Sequence, residues 1–120
     1  MEGTMELTTQ QVFDRHEAAF LSGDMDKLMA DYADDAVMLL LDNVAVGKDA
    51  IRALYMTLVG GFPGLKITFG KRAVEGDLFL VEYSGDSDVA TIPHGVTTFI
   101  IQDGQIQRQT EWFIVVPKDG

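Results

Sequence analysis

At 120 residues the chain is sized for one domain that buries about two-thirds of its unfolded surface without a disulfide or a metal. The absence of cysteine excludes a disulfide framework, thiolate zinc sites and a cysteine nucleophile, and it suits a reducing cytoplasm. The 19 acidic and 9 basic residues give a net charge of −10, a field that repels phosphate backbones and anionic lipid heads and disfavours nucleic-acid and membrane partners.

Residues 1–6 read as a flexible leader, with Met5 as a second possible start and no signal-peptide pattern. Residues 7–117 read as a single domain. No apolar run approaches the roughly 18 residues that span a bilayer. Thr8 and Gln11 have capping-box spacing, and Leu7 can staple onto Val12. Phe13, His16, Glu17 and Phe20 then form an inward helical stripe that contains two ionisable residues. Ser22-Gly23-Asp24 ends this helix and caps the next, on which Met25, Leu28, Met29 and Tyr32 share a face. Ala36 to Leu41 reads as a buried strand, Asp42-Asn43 as a turn, and Lys48 to Val59 as a third helix, ended by the Gly60–Gly64 cluster. From Leu65 the period alternates, giving strands at 65–75, 77–85, 95–102 and 105–116. Glu75-Gly76 and Asp103-Gly104 are hairpin turns, and 85–93 is a looser connection. The acids Asp24, Asp26, Asp31, Asp34, Asp35, Asp86 and Asp88 read as a solvated face. The fold class is α+β: a strongly curved, mainly antiparallel sheet closed by three N-terminal helices.

A two-residue turn at Asp103-Gly104 sets Ile101 opposite Ile106, Phe99 opposite Arg108, Thr97 opposite Thr110 and Gly95 opposite Trp112, all on one face. The other face carries Val96, Thr98, Ile100, Gln107, Gln109, Glu111 and Phe113. Neither face is cleanly polar, so a homodimer through the outer face is expected.

Three stretches carry a family resemblance: RHEAAFLSGDMDKLMADYADDAVM at 15–38, VGKDAI at 46–51 and TTFIIQDGQI at 97–106. With them the chain resembles the NTF2-like superfamily, in the branch of the SnoaL-like polyketide cyclases and ketosteroid isomerases. The resemblance implies a cone in which helices close a bent sheet over a deep apolar cavity. It sets the isomerases' oxyanion-binding tyrosine on His16 and their supporting tyrosines on Tyr32 and Tyr55. It sets their base on Leu40, their second acid near Thr97 and their tryptophan on Trp112. With leucine in the base position, true steroid isomerisation is not expected.

The expected polar set is His16, Glu82 and Arg108. His16 is a general acid or base, or a donor to a ligand carbonyl. Glu82 alternates with Leu80 and Ser84 on the face the resemblance turns inward. Arg108 pairs with Glu82 or a ligand carboxylate. Phe13, Phe20, Tyr32, Leu40, Tyr55, Leu80, Thr97, Phe99, Thr110 and Trp112 are the expected ligand wall. No metal set is visible and no cofactor is expected. Two functions compete: cofactor-free acid–base chemistry (isomerase, cyclase or dehydratase type) on a small organic molecule, and a non-catalytic binding or dimerisation module. If His16, Glu82 and Arg108 do not converge on one cavity, the enzyme reading loses its basis.

Overall fold

The computed structural model describes residues 7–119; the leader expected at 1–6 lies outside them. Thr8 caps α1 (Thr9–Ser22) in a capping box. Its hydroxyl accepts from the Gln11 N–H at 3.1 Å, and the Gln11 side chain accepts from the Thr8 N–H at 2.9 Å. Gly23, at φ +75°, terminates the helix in the left-handed region. Asp24 caps α2 (Met25–Met29), which is only five residues long. Tyr32, expected on its face, instead opens β1 (Tyr32–Leu40). Leu41 leaves the strand at φ +55°, and the expected Asp42-Asn43 turn is followed by an unforeseen short strand, β2 (Asn43–Val46). Four residues are too few for an alternation to register. The third helix, α3 (Lys48–Gly61), starts at the expected residue.

The remaining chain forms β3 (Lys66–Glu75), β4 (Leu78–Asp86), β5 (Ala90–Gln102) and β6 (Gln105–Pro117). The six strands pair in the order β2-β1-β6-β5-β4-β3, with β1 parallel to β6 and every other pairing antiparallel. The 85–93 connection is tighter than expected. β5 already begins at Ala90, because the Ser87 hydroxyl accepts from the Ala90 N–H at 3.0 Å and closes the turn. Helix α1 packs across β3, β4 and β5, and α3 packs on β1, β2 and α2. Closure by three N-terminal helices is corrected accordingly. The third helix follows two strands, and the sheet is open, with β2 and β3 at its edges.

Phe13 centres the core. It stacks on Phe79 with centroids 4.3 Å apart and meets Phe69 and Phe99 edge-on, both at 5.8 Å.

The decisive local feature is a bulge in β6. The turn is as expected, with Asp103 and Gly104 both at positive φ, and Ile101 pairs with Ile106. The next pair is Ile100 with Arg108, so Gln107 is an extra residue. Phe99 then faces Gln109, Thr97 faces Glu111 and Gly95 faces Phe113. One inserted residue turns every later side chain of the strand to the other face. Gln109, Glu111 and Phe113 therefore join Thr97 and Phe99 inside, while Arg108, Thr110 and Trp112 go outside. The expected register is wrong from residue 108 onward for this reason.

Candidate functional site

Between α1 and the concave sheet face lies an inner cavity of about 50 Å³. Its apolar walls come from Phe13, Phe20, Phe69, Phe99 and Phe113, among others. An outer groove of about 410 Å³ runs along the ends of α1 and α3 and shares Phe20, Tyr55 and Leu65 with the cavity. These three residues divide the two spaces. The inner space alone is smaller than the roughly 300–1,000 Å³ of ordinary ligand sites, so anything beyond a few atoms must extend into the outer groove.

Glu111 is the carboxylate of this cavity. Its Oε1 accepts from the Tyr83 hydroxyl at 2.9 Å and from Thr97 at 3.0 Å, and its Oε2 accepts from Gln109 Nε2 at 2.7 Å. Burial raises its carboxyl above the ordinary range, against the opposing pull of those three bonds. One lone pair of Oε2 has no protein donor among the described residues. The placement depends on Gly95, paired with Tyr83 across β4 and β5. A Cβ at residue 95 would lie within about 2.5 Å of the Tyr83 ring, which needs that space to reach Glu111.

His16 lines the opposite wall. Its Nδ1 lies 3.0 Å from Asp31 Oδ2, and Arg15 Nε donates to Asp31 Oδ1 at 2.6 Å. Asp31 is 1% exposed, so reading it as a surface acid is corrected: it is buried beneath α1 as the partner of Arg15 and His16. The Tyr32 hydroxyl stands 3.4 Å from His16 Nε2, 3.0 Å from the Tyr55 hydroxyl and 2.5 Å from Gln109 Oε1. Gln109 Nε2 also donates to Tyr55 at 3.2 Å. A continuous polar chain thus runs Arg15–Asp31–His16–Tyr32–Gln109–Glu111 across the cavity floor. Burial pushes the Tyr32, Tyr55 and Tyr83 phenols upward, and the Glu111 charge adds to this at all three. All three therefore stay neutral hydroxyl donors at ordinary pH.

Of the expected site, Phe13, His16, Phe20, Tyr55, Thr97 and Phe99 line the cavity. Tyr32, fully buried, stands behind them and reaches the network through its hydroxyl. Leu40 is 3% exposed and belongs to the core away from the lining. Glu82 and Arg108 do not converge with His16. On β4 the inward set is Phe79, Val81 and Tyr83; Glu82 points outward and bonds to His94 at 3.1 Å. Leu80 shares that outer face, and the β6 bulge sends Arg108, Thr110 and Trp112 there too. The enzyme reading built on Glu82 and Arg108 loses that basis. The polar groups missed are Asp31, Tyr83, Gln109 and Glu111. Among the described residues no cluster of three or more His, Cys, Asp or Glu side chains is arranged to hold a metal ion.

Comparison with known proteins places this geometry. No curated protein matches the chain in sequence. A candidate polyketide cyclase from Sinorhizobium meliloti superposes with a TM-score of 0.78 at 20% identity, over 88% of this chain and 100% of that one. TerC, crystallised with polyporic acid, gives a TM-score of 0.78 at 15% identity over 88% and 91%. An NTF2-like protein of unknown function from Burkholderia xenovorans LB400 gives 0.75 at 22% identity over 93% and 86%. At these identities the likeness establishes the NTF2-like fold alone. The profile of the SnoaL-like domain matches residues 13–109, from the phenylalanine at the core's centre to the glutamine beside the cavity carboxylate. The chain belongs to the SnoaL-like domain family, and its fold is NTF2-like.

Proposed function

We propose that the protein binds a small, neutral carbonyl compound in the inner cavity and the groove that adjoins it, and moves a proton on it without a cofactor, as an isomerase, cyclase or dehydratase would. The observation that carries this reading is Glu111: a carboxylate in an apolar cavity, with a raised pKa and one oxygen lone pair free of protein donors. A C–H next to a ligand carbonyl gives its proton to Glu111. The electron pair moves onto the carbonyl oxygen, which takes a hydrogen bond from His16 at the opposite wall, and the proton returns to another atom of the same ligand. Phenylalanine walls favour a flat, apolar body. A ligand carboxylate is disfavoured beside Glu111. That one structural relative is a candidate polyketide cyclase, and another was crystallised with polyporic acid, agrees with a carbonyl-bearing ligand. The complete absence of cysteine suits action in the cytoplasm.

The competing reading, a non-catalytic binder, draws on the protein partners that His16 and Glu111 already have. Hydrogen–deuterium exchange at the acidic C–H positions of 2-tetralone, followed by NMR in D₂O, separates the two. Catalysed exchange supports proton transfer; binding with exchange no faster than in buffer supports the binder.

We also propose that the outer sheet face covers a second copy of the chain. Val44, Val46, Trp112 and Ile114 are 69%, 65%, 61% and 51% exposed on that side, beside the exposed Glu82–His94 pair. An apolar sheet face of this kind is costly to leave in water. Sedimentation at micromolar concentration is expected to show a dimer, and Trp112→Glu is expected to shift it to monomer with the fold retained. A wild-type monomer would remove the proposal.

A further inference from the structure

The hydrogen bonds around Gln109 determine where the protons of the cavity floor sit. Glu111 Oε2 lies 2.7 Å from one end of the Gln109 amide. With Glu111 ionised, that end must be the NH₂ group, since a carbonyl oxygen there would face a carboxylate oxygen. Gln109 Oε1 then faces Tyr32 and accepts the one hydroxyl proton Tyr32 has. The Tyr55 hydroxyl accepts from Gln109 Nε2 and donates its own proton to the Tyr32 oxygen. Every donor of this trio is used.

His16 is what remains. Its Nδ1 faces Asp31, an acceptor also held by Arg15, so Nδ1 carries a proton. Its Nε2 faces the Tyr32 oxygen, whose proton is already committed to Gln109. A ring with a bare Nε2 would set two lone pairs against each other at a site where His16 is 4% exposed and Tyr32 fully buried, leaving a buried acceptor without a donor. We infer that Gln109 is a positioning residue: held by Glu111, it takes the Tyr32 proton and so leaves the Tyr32 oxygen as an acceptor, toward which His16 presents Nε2–H. The charged and titratable groups facing the His16 ring are Asp31 and Arg15 beneath, Tyr32 at Nε2, and Glu111 and Glu17 around the cavity.

The catalytic meaning of this rests on the function proposed above. Glu111 would then be the base, coupled through the Gln109 amide and Tyr32 to His16, whose Nε2–H a ligand oxygen would draw from its long 3.4 Å contact with Tyr32. The proton positions themselves stand apart from turnover and are read separately.

The test is ¹⁵N NMR of the histidine rings in the wild-type protein near neutral pH. The chain has only two histidines, and a His94→Gln variant assigns the signals. The expected result is that both His16 nitrogens show protonated, imidazolium-type shifts. A lone-pair-type shift at Nε2 would overturn the inference. In Gln109→Leu, Tyr32 is released to donate to His16, and Nε2 is expected to change to the lone-pair type. Gln109→Glu, with a proton on the oxygen that faces Glu111, keeps an acceptor oxygen toward Tyr32 and is expected to retain the wild-type signature. If Leu and Glu at this position leave identical His16 signals, Gln109 has no positioning role. Should Gln109→Leu not fold, the wild-type and Gln109→Glu spectra still decide. Failure of 2-tetralone exchange alongside the expected NMR signature would sink the proposed reaction and leave this assignment standing.

Discussion

Glu111→Gln is expected to slow proton exchange on a bound carbonyl compound by about 10²–10⁴-fold, the usual contribution of a positioned acid or base, without lowering the protein's stability at neutral pH. The two halves have one cause. Burial penalises the charged carboxylate and raises its pKa, and Tyr83, Thr97 and Gln109 offset only part of that penalty. The amide of the variant would retain an oxygen for the Tyr83 and Thr97 hydroxyls and remove the buried charge, with almost no change in volume. What it loses is the lone pair that receives a proton and the acceptor of Gln109 Nε2, so the Gln109 amide must turn over to set its oxygen against the new NH₂. A general acid or base held at a strained pKa is a common point where activity and stability oppose each other.

The pH dependence follows with a definite sign. A carboxyl whose folded-state pKa is raised binds its proton more readily in the folded than in the unfolded chain. Its contribution to stability is therefore complete below the unfolded value and is lost as pH rises through the folded value. Wild-type protein is expected to lose this contribution on going from acid toward neutral pH, and the Glu111→Gln variant to lack the effect. Urea midpoints of both proteins across that range measure the difference. A midpoint difference independent of pH would show that Glu111 is not held at a raised pKa. Unchanged exchange in Glu111→Gln would move the base elsewhere, with Glu17, the other cavity carboxylate, next in line.

Much of this site was legible in the sequence, and the part that was not has a specific physical origin. The stripe Phe13, His16, Glu17 and Phe20 has helical spacing and does line the cavity. The Asp103-Gly104 turn and the pair Ile101–Ile106 follow from turn chemistry. The single extra residue at Gln107 does not, because both faces of β6 carry apolar and polar side chains and neither register looks wrong. That residue is the difference between Arg108 with Trp112 inside and Gln109 with Glu111 inside. On β4 the ambiguity was similar, since Leu78 and Leu80 alternate with Phe79, Val81 and Tyr83. The bulkier set is the buried one, and Gly95, opposite Tyr83, was a signal that an aromatic ring needs room there. Asp31 was hidden differently. Among several surface aspartates its type says nothing; only its position directly before buried Tyr32, where β1 begins beneath α1, sets it apart.

That buried aspartate carries the second large effect: Asp31→Ala is expected to destabilise the protein by about 3–5 kcal/mol, the usual cost of removing one partner from a buried pair. The Arg15 contact adds little to this figure. Arg15 is 49% exposed on its side chain, and an ion pair open to water contributes about 1 kcal/mol or less. The loss arises at His16, 6% exposed on its side chain, which would keep its place against Tyr32 with Nδ1 facing a space that offers no acceptor. Arg15→Ala should therefore cost about 1 kcal/mol or less, and the ratio of the two effects is the discriminating quantity. Urea unfolding measures both, with an unchanged denaturant slope as the sign that only stability has moved. Added salt should weaken the Arg15 effect and leave the Asp31 effect nearly intact, since screening acts on exposed charges far more than on buried ones. If Asp31→Ala costs no more than Arg15→Ala, the aspartate holds only the surface arginine. His16 would then have no fixed acceptor at Nδ1, and the orientation of its Nε2 toward Tyr32 would lose its support from below.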